Sequence, residues 1–151
     1  MARMVYSMIA SLDGYIEDES GGFDWAAPDE AVHGFINALE RQVGTYLLGR
    51  RMYEVMAVWD DFPGIEHEPS VVQDYADIWQ SADKVVYSTT LPDVSTPRTR
   101  LERAFDPLQV RAMASGLDRD VSIGGPTLAA HALQADIVDD VHLFVVPVMV
   151  G

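Results

Sequence analysis

Cysteine is absent from this chain of 151 residues, which excludes disulfides, thiolate catalysis and cysteine-ligated zinc. Basic charge is scarce. Ten Lys and Arg stand against 24 Asp and Glu, for a net charge of −14, and Lys84 is the sole lysine. A field of that sign disfavours nucleic acid and anionic membranes as partners. A polyanionic ligand would need a local cluster of arginines, whose planar fork suits phosphate. Long hydrophobic runs are missing too. The longest, Val141 to Val150, is interrupted by Pro147 and is too short to span a bilayer. No secretory leader is legible, because Asp13 closes the first apolar segment almost at once, so a cytoplasmic location is expected. His67, His131 and His142 lack the spacing of metal ligands, and no metal is expected. No repeat, low-complexity segment or linker divides the chain, which reads as one domain over 1–151.

What is present is an alternation of short apolar β-forming runs with amphipathic segments. Strands are expected at Arg3–Ala10, Thr45–Leu48, Lys84–Ser88, Val121–Ile123 and Val141–Val150. Helices are expected from Asp29 or Glu30 until Gly44 stops the first of them, then from Gly49-Arg50-Arg51 through Met56. Others follow at about Ser70–Gln80, at Pro107–Leu117 and at Thr127–Ala135. Such alternation implies βαβ units and a largely parallel sheet. Glu17 to Pro28 reads as a loop, with Gly21-Gly22 and the aromatics Phe23 and Trp25.

Three of the strands end alike. Gly49-Arg50-Arg51, Ser88-Thr89-Thr90 and Gly124-Gly125-Pro126-Thr127 each follow an apolar run. Glycines permit a sharp turn and close approach of a ligand to the backbone. Pro126 fits a first helical turn, where free N–H groups favour an anion. In parallel sheets, ligands bind beyond the carboxyl ends of the strands. The same residues also admit a plain reading as strand–turn–helix architecture, a solvated helix start at Arg50-Arg51 and a simple turn at Ser88. Two cations at a helix start are mismatched with the dipole, and this favours a nearby anion.

Taken in order, Ser11-Leu12-Asp13-Gly14-Tyr15-Ile16, Leu47-Leu48-Gly49-Arg50-Arg51-Met52-Tyr53-Glu54, Val85-Val86-Tyr87-Ser88-Thr89-Thr90-Leu91, Ile123-Gly124-Gly125 and Val141-His142-Leu143-Phe144-Val145-Val146-Pro147 resemble the dihydrofolate reductase-like superfamily. The branch is that related to the C-terminal reductase domain of bifunctional riboflavin-biosynthesis deaminase-reductases. The resemblance implies an α/β three-layer fold with a mostly parallel mixed sheet, and NADPH-dependent reduction of a small pterin-like or riboflavin-precursor-like heterocycle. It implies cofactor contacts from Gly49, Arg50 and Arg51, with Arg50 on the adenosine 2′-phosphate. Ser88, Thr89 and Thr90 would lie near the same phosphate, and Gly124, Gly125, Pro126 and Thr127 at the pyrophosphate. Met8 to Gly14 would lie against the nicotinamide. Met52 and Thr89 depart from the threonine and arginine common at those positions.

The substrate side departs further. The position of the folate-binding carboxylate falls near His33, and the apolar residue one turn later falls at Asn37, so classical folate reduction is not expected. Asp13, His33, Asp29 and Glu30 are the candidates for proton transfer or substrate contact. Each also has a plain structural role open to it: Asp13 in an Asp-Gly turn, Asp29 and Glu30 as helix N-terminal acids, and His33 on an exposed helix side. Two other readings stand beside the reductase: a nucleotide-binding module without catalysis, and a structural domain whose glycine turns are only turns. Relatives continue past the Val-Pro strand into a glycine-rich loop and further strands, whereas this sequence stops at Gly151. A short C-terminal side leaves an apolar edge, for which a homodimer is the expected cover.

Overall fold

The computed structural model describes residues 1–151. Six strands form one sheet: β1 (Met4–Ser11), β2 (Val43–Gly49), β3 (Asp83–Tyr87), β4 (Thr99–Glu102), β5 (Asp120–Gly124) and β6 (Asp140–Val146), in the spatial order β4-β3-β2-β5-β1-β6. Every neighbouring pair is parallel. The sheet is thus parallel throughout rather than mixed, because no two consecutive strands are joined by a hairpin. Five helices lie among the connections: α1 (Glu30–Glu40), α2 (Arg50–Met56), α3 (Ser70–Ser81), α4 (Pro107–Ser115) and α5 (Pro126–Gln134).

Side chains alternate across a strand, so adjacent residues serve opposite cores. Leu47, Val85, Val121 and Ile123 pack with Val110 and Ala114 of α4 and with Leu128, Ala129 and Ala132 of α5. Tyr46, Leu48 and Val86 pack with Tyr53 of α2 and with Tyr75 and Trp79 of α3. Helix α1 lies on this second face and packs on α3. The sheet is therefore the middle of three layers.

Several boundaries differ from those expected. Helix α1 ends at Glu40, with Arg41 as its C-cap, and Gly44 lies inside β2. A Cβ on Gly44 would stand 2.8 Å from Cβ of Arg119, so this glycine serves close packing rather than helix termination. Strand β6 stops at Val146, one residue before Pro147, which cannot donate to a ladder. Strand β4 has no counterpart among the expected strands. On the α4/α5 face, β6 leaves Val141 at 54%, Leu143 at 58% and Val145 at 51% exposure. No helix is long and apolar enough to cross a membrane.

One polar group is locked into the second core. Lys84 Nζ donates to the carbonyls of Trp79 and Ala82, both at 3.1 Å, and lies 3.6 Å from Asp60 Oδ1. Asp60 Oδ2 in turn accepts from Trp79 Nε1 at 3.0 Å. Burial pushes the Lys84 pKa down against the opposing pull of Asp60. Removing one member of such a buried pair leaves an uncompensated charge, at a cost of about 3–5 kcal/mol. Lys84→Met is expected to lose stability on that scale in urea unfolding, and the double variant Lys84→Met/Asp60→Asn to recover part of it. Equal loss in both would show that the charge pair is not the source.

Candidate functional site

Because the strands are parallel, their carboxyl ends share one edge of the sheet. Strands β3, β2 and β5 are neighbours there. Gly49 is paired in register with Tyr87, and Leu48 with Gly124. The three motifs singled out in the sequence thus begin at nearly one level.

Gly49 caps α2 in extended conformation, and a Cβ there would meet nothing within 4 Å, so this end of β2 faces open space. Gly124 is different. Its Cβ would stand 2.9 Å from Leu48 Cδ2 and 3.1 Å from Met52 Cγ, so Met52 fills the space over Gly124 and excludes any larger residue. Gly125 has φ of +97°, a conformation natural only to glycine. From it α5 starts with Pro126 in its first turn and Thr127 next.

Arg50 spans two of the strand ends. Its guanidinium donates to Thr90 Oγ1 at 2.9 Å and to Glu54 Oε1 at 2.8 Å. Ser88 Oγ accepts from the amides of Thr90 and Leu91, which holds Ser88-Thr89-Thr90 in a tight turn. Arg51 points to the loop after β1 and pairs with Glu17. Arg103, which follows β4, donates to the carbonyls of Ser88, Leu91 and Pro92 at 3.1, 2.6 and 3.3 Å. It brings a further base to the β3 end that the sequence reading missed. The only signal was its place just beyond an unrecognised strand.

Nearly all basic charge is already neutralised. Arg3, Arg41, Arg50, Arg51, Lys84, Arg98, Arg100 and Arg111 each pair with a carboxylate. Arg103 and Arg119 bond to carbonyls instead.

Of the proton-transfer candidates, Asp29, Glu30 and His33 share the start of α1, and Asp13 lies on a different segment. Asp13 stands at the turn after β1. Its carboxylate accepts from Ser11 Oγ at 2.6 Å, from the Val150 amide at 3.2 Å and from the Gly151 amide at 3.0 Å. These bonds hold its pKa below the usual aspartate range, with Ser11 the largest cause. Asp29 is the N-cap of α1 and accepts from the Val32 amide at 2.8 Å. Glu30 is the first residue of α1. His33 is half-buried, its ring centroid 5.9 Å from that of Tyr75. Burial lowers its pKa, against the carboxylate of Asp74. Asn37 is buried, and its Nδ2 donates to the Val71 carbonyl and to Asp74. It fastens α1 to α3. Trp25, in a single 3-10 turn, keeps its indole N–H buried without a partner.

The sequence profile of the RibD C-terminal domain family matches residues 2–151. The chain belongs to this family. Among curated proteins it is similar to the uncharacterized protein YyaP of Bacillus subtilis (strain 168), at 24% identity over 152 residues, covering 99% of this chain and 77% of YyaP. Among solved structures it resembles a protein of Shewanella sp. PV-4 described as a riboflavin biosynthesis protein. The TM-score is 0.71 at 25% identity, over 100% of this chain and 80% of that one. It shares its fold with a diaminohydroxyphosphoribosylaminopyrimidine deaminase/5-amino-6-(5-phosphoribosylamino)uracil reductase of Thermotoga maritima, with TM-score 0.64 and 13% identity, over 99% of this chain and 46% of that one. The six-stranded parallel sheet and its flanking helices are thus those of a reductase-like fold.

The bonds around Asp13 carry a pH dependence. A carboxylate whose pKa is lowered on folding keeps its contribution above the unfolded value and loses it as pH falls through the folded one. The 148–151 segment of the wild type should therefore stay protected at neutral pH and loosen on strong acidification. Asp13→Asn should raise amide exchange at Val150 and Gly151 at neutral pH and abolish the acid-dependent step. Unchanged protection in the variant would mean that other contacts hold this segment.

Proposed function

We propose that the protein is an NADPH-dependent reductase of a small heterocycle of pterin-like or riboflavin-precursor-like shape. The observation that carries this reading is the meeting of three strand ends, at Gly49, Ser88 and Gly124, on one edge of a parallel sheet. Membership of the RibD C-terminal domain family supports it. The residues present fit the cofactor. Gly49 leaves open space, Arg50 and Thr90 already stand together, and Gly125 turns the chain into α5.

In this reading Arg50, Arg51, Ser88, Thr89 and Thr90 hold the 2′-phosphate end, and Gly124, Gly125, Pro126 and Thr127 border the pyrophosphate. The β1 end and Asp13 border the nicotinamide, which supplies the hydride when bound. The protein's work is then to position two rings and to exclude water between them. The substrate lies on the α1 side, near Glu30 and His33.

A second reading is nucleotide binding without turnover. It is favoured by the prior engagement of the acids: Asp13 is bonded to Ser11 and to residues 150–151, and Asp29 caps α1. Burial also disfavours the charged form of His33.

NADPH at 100 times its dissociation constant should stabilise the fold by about 2.7 kcal/mol. Loss of a charge-assisted contact costs about 1.5–3 kcal/mol, so Arg50→Ala should weaken NADPH binding roughly ten- to hundredfold while leaving NADH binding nearly unchanged. Calorimetric titration with both dinucleotides checks this. Absence of binding would refute both readings, and binding without oxidation of NADPH across a panel of pterins and aminouracils would select the second.

A further inference from the structure

Arg51 is held by a segment distant from it in sequence. Its guanidinium donates to Glu17 Oε1 at 2.9 Å and reaches Oε2 at 2.6 Å, a two-pronged pairing of the kind that also suits phosphate. Gly21 packs on the same group, for a Cβ on Gly21 would stand 2.9 Å from Arg51 Nη2. The segment between them is tightly built. Asp18 Oδ1 accepts from the Ser20 amide, the Ser20 hydroxyl and the Gly22 amide at 2.9, 2.6 and 2.8 Å. Glu17 is therefore presented to Arg51 by a folded loop rather than by a free side chain.

Arg50 contrasts with this. Its carboxylate partner, Glu54, comes from its own helix and meets only Nε, while Nη1 is given to Thr90. Acids outnumber bases by 24 to 10, and both arginines of the Gly49-Arg50-Arg51 turn are paired with carboxylates, so an anionic ligand that takes Arg51 must first displace Glu17.

We propose that Glu17 is a specificity-determining residue that occupies Arg51 as an internal stand-in for the phosphate monoester of the cofactor, and that the monoester displaces it. The inference rests on the cofactor reading above. Binding of a dinucleotide bearing the 2′-phosphate exchanges one ion pair for another at Arg51 and frees the 17–22 loop. A dinucleotide without that phosphate leaves Glu17 in place. Glu17 thereby lowers the affinity for the phosphorylated cofactor while leaving the other untouched. The pair is exposed, so its effect is modest and is screened by salt.

The test is calorimetric titration of the full chain and its Glu17→Gln variant with NADPH and with NADH, at low and high salt, with the melting temperature of each protein as a check on folding. The variant should bind NADPH two- to fivefold more tightly than the wild type at low salt. That gain should shrink at high salt, and NADH binding should not move. Equal changes for both dinucleotides, no change, or weaker NADPH binding by a folded variant would overturn the proposal while leaving the cofactor reading intact. Binding of neither dinucleotide to either protein removes the cofactor reading and this inference together.

Discussion

The structure depends on a single constraint: six strands that all run the same way. Parallel neighbours cannot be joined by tight hairpins, so the chain must cross back between them, and the helices on those crossings bury both faces of the sheet. Strand interiors such as Leu47-Leu48 and Val85-Val86 are apolar at successive positions because each residue belongs to a different core. The glycines and hydroxyl residues of the three motifs stand at the carboxyl ends, where β2 closes on Gly49, β5 on Gly124, and Ser88 follows β3. Since all ends of one kind lie on one edge, short motifs separated by tens of residues in sequence become neighbours in space.

Charge is the second constraint, and it acts on top of the first. With so few bases, nearly every guanidinium in the fold already has an anion. Arg3 ties the start of β1 to Asp120 and Asp140, and Arg111 of α4 ties to Asp139 before β6. These pairs stitch the amino-terminal edge of the sheet. At the carboxyl edge the same habit joins Arg50 to Glu54 and Arg51 to Glu17. The electrostatic state of that edge is then set by competition among anions rather than by free positive charge, and exposed pairs of this type are weak enough to exchange.

Much of this was legible in the sequence for physical reasons that differ by element. The ends of β2, β3 and β5 were readable because glycine, arginine and hydroxyl residues carry their conformational and chemical meaning locally. Strand β4 was not, because Thr99-Arg100-Leu101-Glu102 is short, holds one large apolar residue and is paired on one side only. Arg103 was lost with it. Lys84 was legible only as the start of a strand, and its burial depends on the tertiary placement of Asp60 and Trp79. The packing side of α1 was hidden for a related reason. His33 and Asn37 stand on its polar side in sequence, and the fold brings both against α3, His33 beside Tyr75 and Asn37 bonded to Val71 and Asp74. Helix–helix contact is a non-local fact that spacing along one helix does not contain.

The two sides of the candidate site are consequently built by different means. On one side, backbone turns at Gly49 and Gly125 and the side chains of Arg50 and Thr90 make a fixed cradle. On the other, two of the acids are already bonded: Asp13 to Ser11 and to residues 150–151, and Asp29 to the first turn of α1. Such an arrangement is poorly suited to a reaction that turns on a strong general acid or base, since drawing on either carboxylate would first break hydrogen bonds that the fold uses. It is compatible with a reaction whose main demand is that two planar rings be held in register while a hydride passes, with the proton reaching the product through solvent. The commitment of Asp13 and Asp29 therefore weighs against hydrolysis through either carboxylate, and it leaves the two readings proposed above, hydride transfer and nucleotide binding alone, to be separated by turnover.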